Sequence, residues 1–346
     1  MRIVTCSLAA LLLFAVPASA DGGRDLVVSL SDGSIGLVSA AGQLTGTLAG
    51  PAAPGGFTAI QPVWSPDGTR VAFSQGGIVV ADLDGTQHRL TTSPSDGFDV
   101  EPTWSSDGTK IAFRRSRGSS HDIAVVPAAG GAVRALTTDG AYKYEPRWQP
   151  HGDQVLFQSS QPEPGTYVVD ATRGTSRRIA ATAGSAAWAP DGSAIALGGG
   201  YGLELLAADG SGARVLAPNR SAADVAWSSD GQRIAFTVMT QFPQYGSKFG
   251  TQTRSDVFVV DRDGTDLTRL TGLESDTPFD RPSAAVPHWW PGGSRLFFDN
   301  ARQVSMMNAD GTCEQRFPTA LQMVGVPSWS PLAEAAPALD CSAAQL

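Results

Sequence analysis

The sequence predicts an all-β fold, namely a seven-bladed β-propeller. Three observations lead to this prediction: a tryptophan-centred unit recurs along the chain, each unit has the pattern of four short strands, and the two ends supply complementary parts of one further unit. The composition agrees. A chain of 346 residues with 42% hydrophobic and 17% charged side chains, 39 Gly and 23 Pro favours short strands and tight turns over coiled coils or disorder.

Six copies of the unit begin at a tryptophan that is followed by a turn sequence and an apolar run. They read WSPDGTRVAF from Trp64, WSSDGTKIAF from Trp104, WQPHGDQVLF from Trp148, WAPDGSAIAL from Trp188, WSSDGQRIAF from Trp227 and WWPGGSRLFF from Trp289. Successive tryptophans are 40, 44, 40, 39 and 62 residues apart, and a shortened copy, WSP, begins 40 residues later at Trp329. Periods of this length are typical of propellers and related arrays.

Each unit has the pattern of four strands. A short strand ends at the tryptophan, a Pro-Asp-Gly or Ser-Asp-Gly turn reverses the chain, and an alternating run such as VAF or IAF follows. The third strand has sequences such as IVVADLDG, and the fourth surrounds sequences such as HRLT or TRLT. Four strands in about 40 residues correspond to one propeller blade.

The two ends of the repeat region decide the number of blades. Residues 26–48 contain LVVSL, IGLVSAAG and LTGTL, which match the second, third and fourth strands of a unit without its first. The segment VPSWSP around Trp329 is a first strand with nothing after it. Joined, they make a seventh blade that leaves no free sheet edge. The alternative is a six-bladed ring with residues 26–48 packed outside it.

The first twenty residues predict export. Arg2 precedes an apolar run from Ser7 to Val16, and Ala18, Ser19 and Ala20 supply a small-residue cleavage site, as in a secretory signal peptide. We therefore expect a signal peptide at 1–20, a propeller at 21–330 and a C-terminal tail at 331–346. The mature protein would be periplasmic or extracellular, with no membrane-spanning segment.

The net charge limits the class of partner, and the cysteine content bears on disulfide formation. The formal net charge is -8, which argues against a nucleic-acid partner, because phosphate is bound through clustered Lys and Arg. Cys313 and Cys341 are the cysteines that remain after cleavage, and in an oxidising compartment they could form a disulfide. Two unpaired thiols are the alternative.

The recurring motifs resemble a known repeat. Trp-Ser-Pro-Asp-Gly, Ile-Ala-Phe, Val-Val-Asp-x-Asp-Gly and Arg-Leu-Thr together look like the TolB-type propeller repeat, a relative of the WD repeats, over residues 25 to 330. TolB carries an α/β domain ahead of a six-bladed propeller and is periplasmic. The resemblance here is to the propeller alone, and it implies a fold more strongly than a function.

Sequence motifs for catalysis are missing, so we expect a protein that is not an enzyme. The chain has no GxSxG elbow, HExxH motif, P-loop or CxxC. Sequences such as Asp82-Leu83-Asp84-Gly85 resemble fragments of a calcium loop, but their recurrence at one place in each unit favours a hairpin turn.

We expect binding on the loops that follow the second and fourth strands, because these vary in length and charge while the other turns are short and uniform. Three stretches stand out: 114–122, 140–148 and 237–256. The last carries Phe242, Tyr245 and Phe249, and it could contact a partner directly or cover the channel mouth as a lid.

Charged residues and one tyrosine near the first strands complete the candidate binding site. They are Asp99, Glu101, Lys143, Tyr144, Glu145 and Asp280, accompanied by Asp224. Converging carboxylates could hold Ca²⁺ in the channel or bind a basic peptide. Solvated loop charges are the alternative, and no other cofactor is expected.

We therefore expect an exported, monomeric, non-catalytic propeller that binds a protein or peptide on its variable loops. The alternative is a carbohydrate-active or other enzyme, or a sugar-binding propeller, with its site in the central channel. An enzyme would need a paired acid and base, for which Glu101 and Glu145 are the best candidates. A purely structural role in the cell envelope is the third possibility.

Overall fold

A computed structural model describes residues 26–39, 42–51, 56–243, 251–272, 284–300, 304–317 and 323–331. These residues form strands and turns, and none of them lies in a helix. No helix that could span a membrane is found in the described ranges. The predicted signal peptide at 1–20 and residues 332–346 of the predicted tail lie outside them.

The strands of the first half are β1 (Leu26–Leu30), β2 (Ile35–Val38), β3 (Leu44–Ala49), β4 (Ile60–Trp64), β5 (Arg70–Ser74), β6 (Ile78–Asp82), β7 (Gln87–Arg89), β8 (Asp99–Trp104), β9 (Lys110–Arg117), β10 (Ser120–Pro127), β11 (Arg134–Ala135), β12 (Lys143–Trp148), β13 (Gln154–Ser159), β14 (Gly165–Asp170) and β15 (Ser176–Ala180). Those of the second half are β16 (Ala186–Trp188), β17 (Ala194–Gly199), β18 (Gly202–Ala207), β19 (Arg214–Pro218), β20 (Ser221–Trp227), β21 (Arg233–Pro243), β22 (Thr251–Asp261), β23 (Thr268–Arg269), β24 (Ala284–Trp289), β25 (Arg295–Asn300), β26 (Val304–Asn308), β27 (Gln315–Arg316) and β28 (Met323–Trp329).

These strands form seven antiparallel four-stranded sheets, which confirms the predicted seven-bladed propeller. Blade 1 has the order β28-β1-β2-β3, and blades 2 to 7 are the consecutive quartets β4–β7, β8–β11, β12–β15, β16–β19, β20–β23 and β24–β27. In blade 1, Leu26 pairs with Trp329 and Leu30 with Met323. The N-terminal strands therefore lie within the ring, and the six-bladed alternative is excluded.

The hydrophobic cores lie between the blades rather than within one central mass. Seven clusters of buried residues occur among the described residues, and each joins two neighbouring blades. One cluster packs Ile78 and Val80 of blade 2 against Trp104 and Phe113 of blade 3. Two others join blade 1 to blades 2 and 7. Burial of apolar area thus closes the ring at every blade interface.

The repeated tryptophans also form polar contacts between blades. The Nε1–H of Trp104 donates to the carbonyl of Val63 in the preceding blade, at 3.2 Å. The bond from Trp64 to Ser328, at 3.1 Å, crosses from blade 2 to blade 1 and so spans the point of closure. Trp148 differs, because it donates to Gly152 of its own blade. The fixed place of these rings therefore has a structural reason, which is packing and hydrogen bonding between neighbouring sheets.

The turns divide the ring into two faces. The short-turn face carries the turns between the first and second strands and between the third and fourth strands of each blade. The variable face carries the remaining connections, which differ in length. Blade 6 is distinctive there, because β21 and β22 each run for 11 residues. The stretch at 237–256, predicted as a loop, thus continues these strands as a hairpin that pairs Pro243 with Thr251. Residues 244–250 lie outside the described ranges.

Candidate functional site

The innermost strands of five blades share an unusual backbone position three residues before the tryptophan. Gln61, Glu101, Glu145, Asp224 and Val286 all have φ between 48° and 59° there, which L-residues seldom adopt. The strand pairing shifts register at each of these sites, as at a β-bulge. We call these five residues the channel ring.

Adjacent members of the channel ring contact one another across the blades. The backbone N–H of Glu101 donates to Oε1 of Gln61 at 2.9 Å, and that of Glu145 donates to Oε2 of Glu101 at 2.8 Å. The other carboxylate oxygen of Glu101 accepts from Arg114 at 2.8 Å. Glu101 is therefore held in place by both of its oxygens.

Glu145 has a different environment. Burial raises the pKa of its carboxyl, the charges of Glu101 and Asp224 raise that pKa further, and Arg147 opposes them. Asp224 belongs to blade 6 and Glu145 to blade 4, so their interaction extends past the blade that separates them. Three carboxylates thus share the channel without full compensation by cations.

A cationic and a neutral side chain lie farther along the channel wall. Arg147 and His288 each immediately precede the tryptophan of their strand. Burial and the neighbouring charge of Arg147 lower the pKa of His288 to about 4. His288 is therefore uncharged at neutral pH.

Two residues predicted for the binding site are instead buried in ion pairs. The carboxylate of Asp99, only 1% exposed, accepts from Nε and Nη2 of Arg115 at 2.7 and 2.6 Å and from the hydroxyl of Thr91 at 2.6 Å. Lys143, 2% exposed, is paired with Asp122 and Asp139. Their surroundings suit a role beneath the variable face rather than on it.

An aromatic cluster lies on the variable face of blades 3 and 4. It consists of Phe98, Arg114, His121, Tyr142 and Tyr144. The ring centroids of His121 and Tyr142 are 4.2 Å apart, those of Tyr142 and Tyr144 are 5.8 Å apart, and the Arg114 guanidinium lies 5.4 Å from the Phe98 ring. Burial raises the pKa of Tyr144 and lowers that of His121, so both are neutral near pH 7. Of this cluster, only Tyr144 was named as a site residue, whereas Arg114, His121 and Tyr142 lie within the stretches 114–122 and 140–148 predicted to bind.

Beside this cluster an open cavity of about 900 Å³ lies between blades 3 and 4. Its lining includes Ser119, Asp139, Tyr142, Ser160, Gln161 and Pro164. These residues come from the connections β9–β10, β11–β12 and β13–β14, all on the variable face. We call it the blade 3–4 cavity.

The remaining predicted site residues are only partly described. Tyr245, Phe249, Asp280 and Cys341 lie outside the described residues. The backbone of Phe242 pairs with Gln252 in the long hairpin. Cys313 is disulfide-bonded, and its pairing with Cys341 stays a prediction.

In the part of the chain that the structure describes, no group of three or more His, Cys, Asp or Glu side chains is arranged to hold a metal ion. Calcium in the channel therefore stays a prediction. One signal in the sequence could have located the channel carboxylates, since Glu101, Glu145 and Asp224 all lie three residues before a repeat tryptophan.

Comparisons with known proteins agree with this architecture. Residues 52–196 match the TolB beta propeller domain. TolB from Acinetobacter baumannii is similar at 20% identity and a TM-score of 0.53, over 89% of this chain and 66% of that one, slightly less than two thirds of its length. Hydrazine synthase from Kuenenia stuttgartiensis is similar at 16% identity and a TM-score of 0.57, over 84% and 94%.

A puromycin hydrolase is similar at 15% identity and a TM-score of 0.56, over 89% of this chain and 55% of that one. No curated protein sequence matches this chain. At these identities the structural likeness defines the fold, and the names of the relatives include both TolB and enzymes. The repeat, the ring of seven sheets and this match together show a seven-bladed β-propeller whose residues 52–196 match the TolB beta propeller domain.

Proposed function

We propose that this propeller is an exported, non-catalytic protein that binds a protein or peptide partner on its variable face. The observation that carries the proposal is a set of exposed large apolar side chains on that face. They come from blades 2 to 6 and are Phe57, Ile60, Phe98, Tyr142, Tyr201 and Met239. Apolar side chains that recur on one face of a rigid scaffold are typical of a protein-binding surface.

The residue types on this face support contact with a protein. Aromatic side chains and arginine are enriched among the residues that contribute most to protein interfaces. Arg114 is already fixed against Phe98 and Tyr142, with a separation of 5.9 Å between its guanidinium and the Tyr142 ring. Such a patch loses little conformational entropy when a partner binds.

The charge of the channel favours a partner with basic groups. Glu145 and Asp224 lie in the channel beside Glu101, and the chain has a formal net charge of -8. Complementary charge would speed association and select against acidic partners. We therefore expect the partner to present Lys or Arg side chains toward the channel mouth.

Export and the lack of catalysis belong to the same proposal. The signal-like sequence at residues 1–20 supports export. Both oxygens of Glu101 are occupied, by Arg114 and by the Glu145 N–H, which makes Glu101 a poor partner for Glu145 in acid–base catalysis.

The test is to identify the partner by crosslinking and then measure its affinity for variants. The Phe57→Ala/Tyr201→Ala double variant removes rings that are 66% and 86% exposed. We expect it to weaken binding of the purified partner about tenfold or more.

The matched control is Leu44→Ala/Leu83→Ala, which removes two exposed leucines from the short-turn face. This control should bind the partner like the unaltered protein. Equal weakening by both variants, or by neither, would contradict a partner site on the variable face.

A further inference from the structure

The blade 3–4 cavity has an aromatic side chain fixed in place at its edge. Tyr142 is 42% exposed, and His121 and Tyr144 pack beside its ring. Nη1 of Arg114 lies 3.4 Å from the Tyr142 hydroxyl, and Glu101 holds the same guanidinium. The exposed part of the ring is therefore a preformed surface on which a ligand can stack.

The rest of the cavity wall is rich in small hydrogen-bonding groups. Ser119 and Gln161 are exposed, and Ser160 is half-buried. Hydroxyl and amide side chains both donate and accept hydrogen bonds. The wall carries few aliphatic side chains, whereas pockets for apolar ligands or for the anchor residues of a peptide are predominantly apolar.

The charges at the cavity are paired with one another. Asp139 forms an ion pair with Lys143. Glu163, between the two prolines of the cavity wall, lies 3.9 Å from Arg178. Lys143 is shared between Asp139 and Asp122, so the described cations are not in excess here and the cavity offers no net attraction to an acidic ligand.

An exposed aromatic ring, hydroxyl and amide side chains in one cavity wall and no excess of cations among the described residues fit one ligand class. We propose that the blade 3–4 cavity binds a neutral oligosaccharide. A pyranose ring would place its C–H face on Tyr142 and direct its hydroxyl groups to Ser119, Ser160 and Gln161. The volume of about 900 Å³ lies within the range of small-ligand sites. This site goes beyond the proposed partner surface and does not depend on it.

The experiment is isothermal titration of the full mature chain with three neutral probes, cellohexaose, maltohexaose and chitohexaose, and with hexagalacturonate as the charged counterpart. We expect at least one neutral probe to bind and hexagalacturonate to bind more weakly. Tyr142→Ala should reduce the affinity about tenfold, because it removes the stacking surface. Tyr142→Phe should stay close to the unaltered protein, since the ring remains.

Tyr201→Ala is the matched control, because it removes an 86% exposed ring from the β17–β18 turn outside the cavity. It should leave saccharide binding unchanged even where it weakens the protein partner, so the two proposals can fail separately. Thermal unfolding of each variant checks that Tyr142→Ala is folded.

Three outcomes would overturn the proposal. The first is absence of binding by all three neutral probes, and the second is equal affinity of the Tyr142→Ala and unaltered proteins. The third is stronger binding of hexagalacturonate than of any neutral probe.

Discussion

On the short-turn face an aspartate closes turn after turn, whereas on the variable face several acidic residues are buried in ion pairs or line the channel. In nine described turns of the short-turn face, Oδ1 of an aspartate accepts the backbone N–H two residues later. These aspartates are Asp67, Asp84, Asp107, Asp170, Asp191, Asp209, Asp230, Asp263 and Asp310. Each bond is local, so the turn needs nothing from the rest of the fold.

Three acidic residues of the variable face depend instead on distant partners. Asp99, Asp122 and Asp256 each accept from a threonine that follows the fourth strand of a blade, and each is paired with Arg or Lys. One face therefore repeats a local hydrogen-bonding pattern, whereas the other uses long-range pairs beneath connections that differ in length. That variation is what a binding surface requires.

The largest expected effect comes from removing a buried carboxylate beneath the variable face. Asp99→Ala should lower the free energy of unfolding by about 3–5 kcal/mol, because Arg115 would be left without its counter-charge. Urea unfolding followed by tryptophan fluorescence measures the change. Asp99→Ala/Arg115→Met should recover part of it. If Asp99→Ala lowers the free energy of unfolding no more than a turn variant does, the proposed difference between the two faces is wrong.

Removing a turn aspartate should have a smaller effect. Asp107→Ala should lower the free energy of unfolding by about 1 kcal/mol at neutral pH, because the exposed carboxylate loses its bonds from Ser105 and Thr109. Asp96→Ala, on the exposed β7–β8 connection of the variable face, is the control and should change the free energy of unfolding very little.

The same variant tests the acid response. Hydrogen bonds from Ser105 and Thr109 lower the pKa of Asp107 from 3.8 to about 2. Its contribution is therefore complete above pH 3.8 and is lost as the pH falls through about 2. Unfolding curves of Asp107→Ala and the unaltered protein should converge near that pH. If the two proteins still differ in stability in acid, the effect of the substitution comes from the geometry of the turn and not from the charge of Asp107.

The smallest expected change in stability is an increase. Glu145→Gln should raise the free energy of unfolding at pH 7, because burial beside Glu101 and Asp224 disfavours the ionised carboxylate. The folded pKa is raised, so the cost of ionisation is absent well below the ordinary value of 4.5 and grows as the pH rises through the raised value. The gain should therefore disappear in acid.

Urea unfolding at pH 4 and pH 7 measures this difference, with the exposed Glu163→Gln as the control. A loss of stability at pH 7 would mean that the ionised Glu145 has a cationic partner in solution, which would support the predicted calcium site.

Much of the fold could be predicted because the repeat is local. Trp64 and its equivalents, the Asp-Gly turns and the alternating strands lie within a few residues of one another, so the pattern of one blade is visible in about 40 residues. The seventh blade could be predicted from what each end lacked. The candidate site was harder to predict from the sequence. Asp99 and Glu101 are two residues apart, yet one is buried under the variable face and the other lies in the channel ring.

The sequence indicated parts of the aromatic cluster, within 114–122 and 140–148, but not that they meet. Phe98, Arg114, His121 and Tyr142 are spread over 45 residues, and none repeats from blade to blade. They meet because β9 pairs with both β8 and β10 and because blade 4 follows beside blade 3. No sequence period marks such a meeting point.

By itself, the sequence determined the all-β class, the blade repeat, the number of blades and the face on which connections vary, because short-range hydrogen bonds and strand alternation encode them. Only the tertiary structure decided which charged residues are buried, which carboxylates share the channel and where the aromatic cluster and its cavity form. Those features depend on residues brought together from different blades, and their electrostatic interactions depend on burial, which is a property of the closed ring.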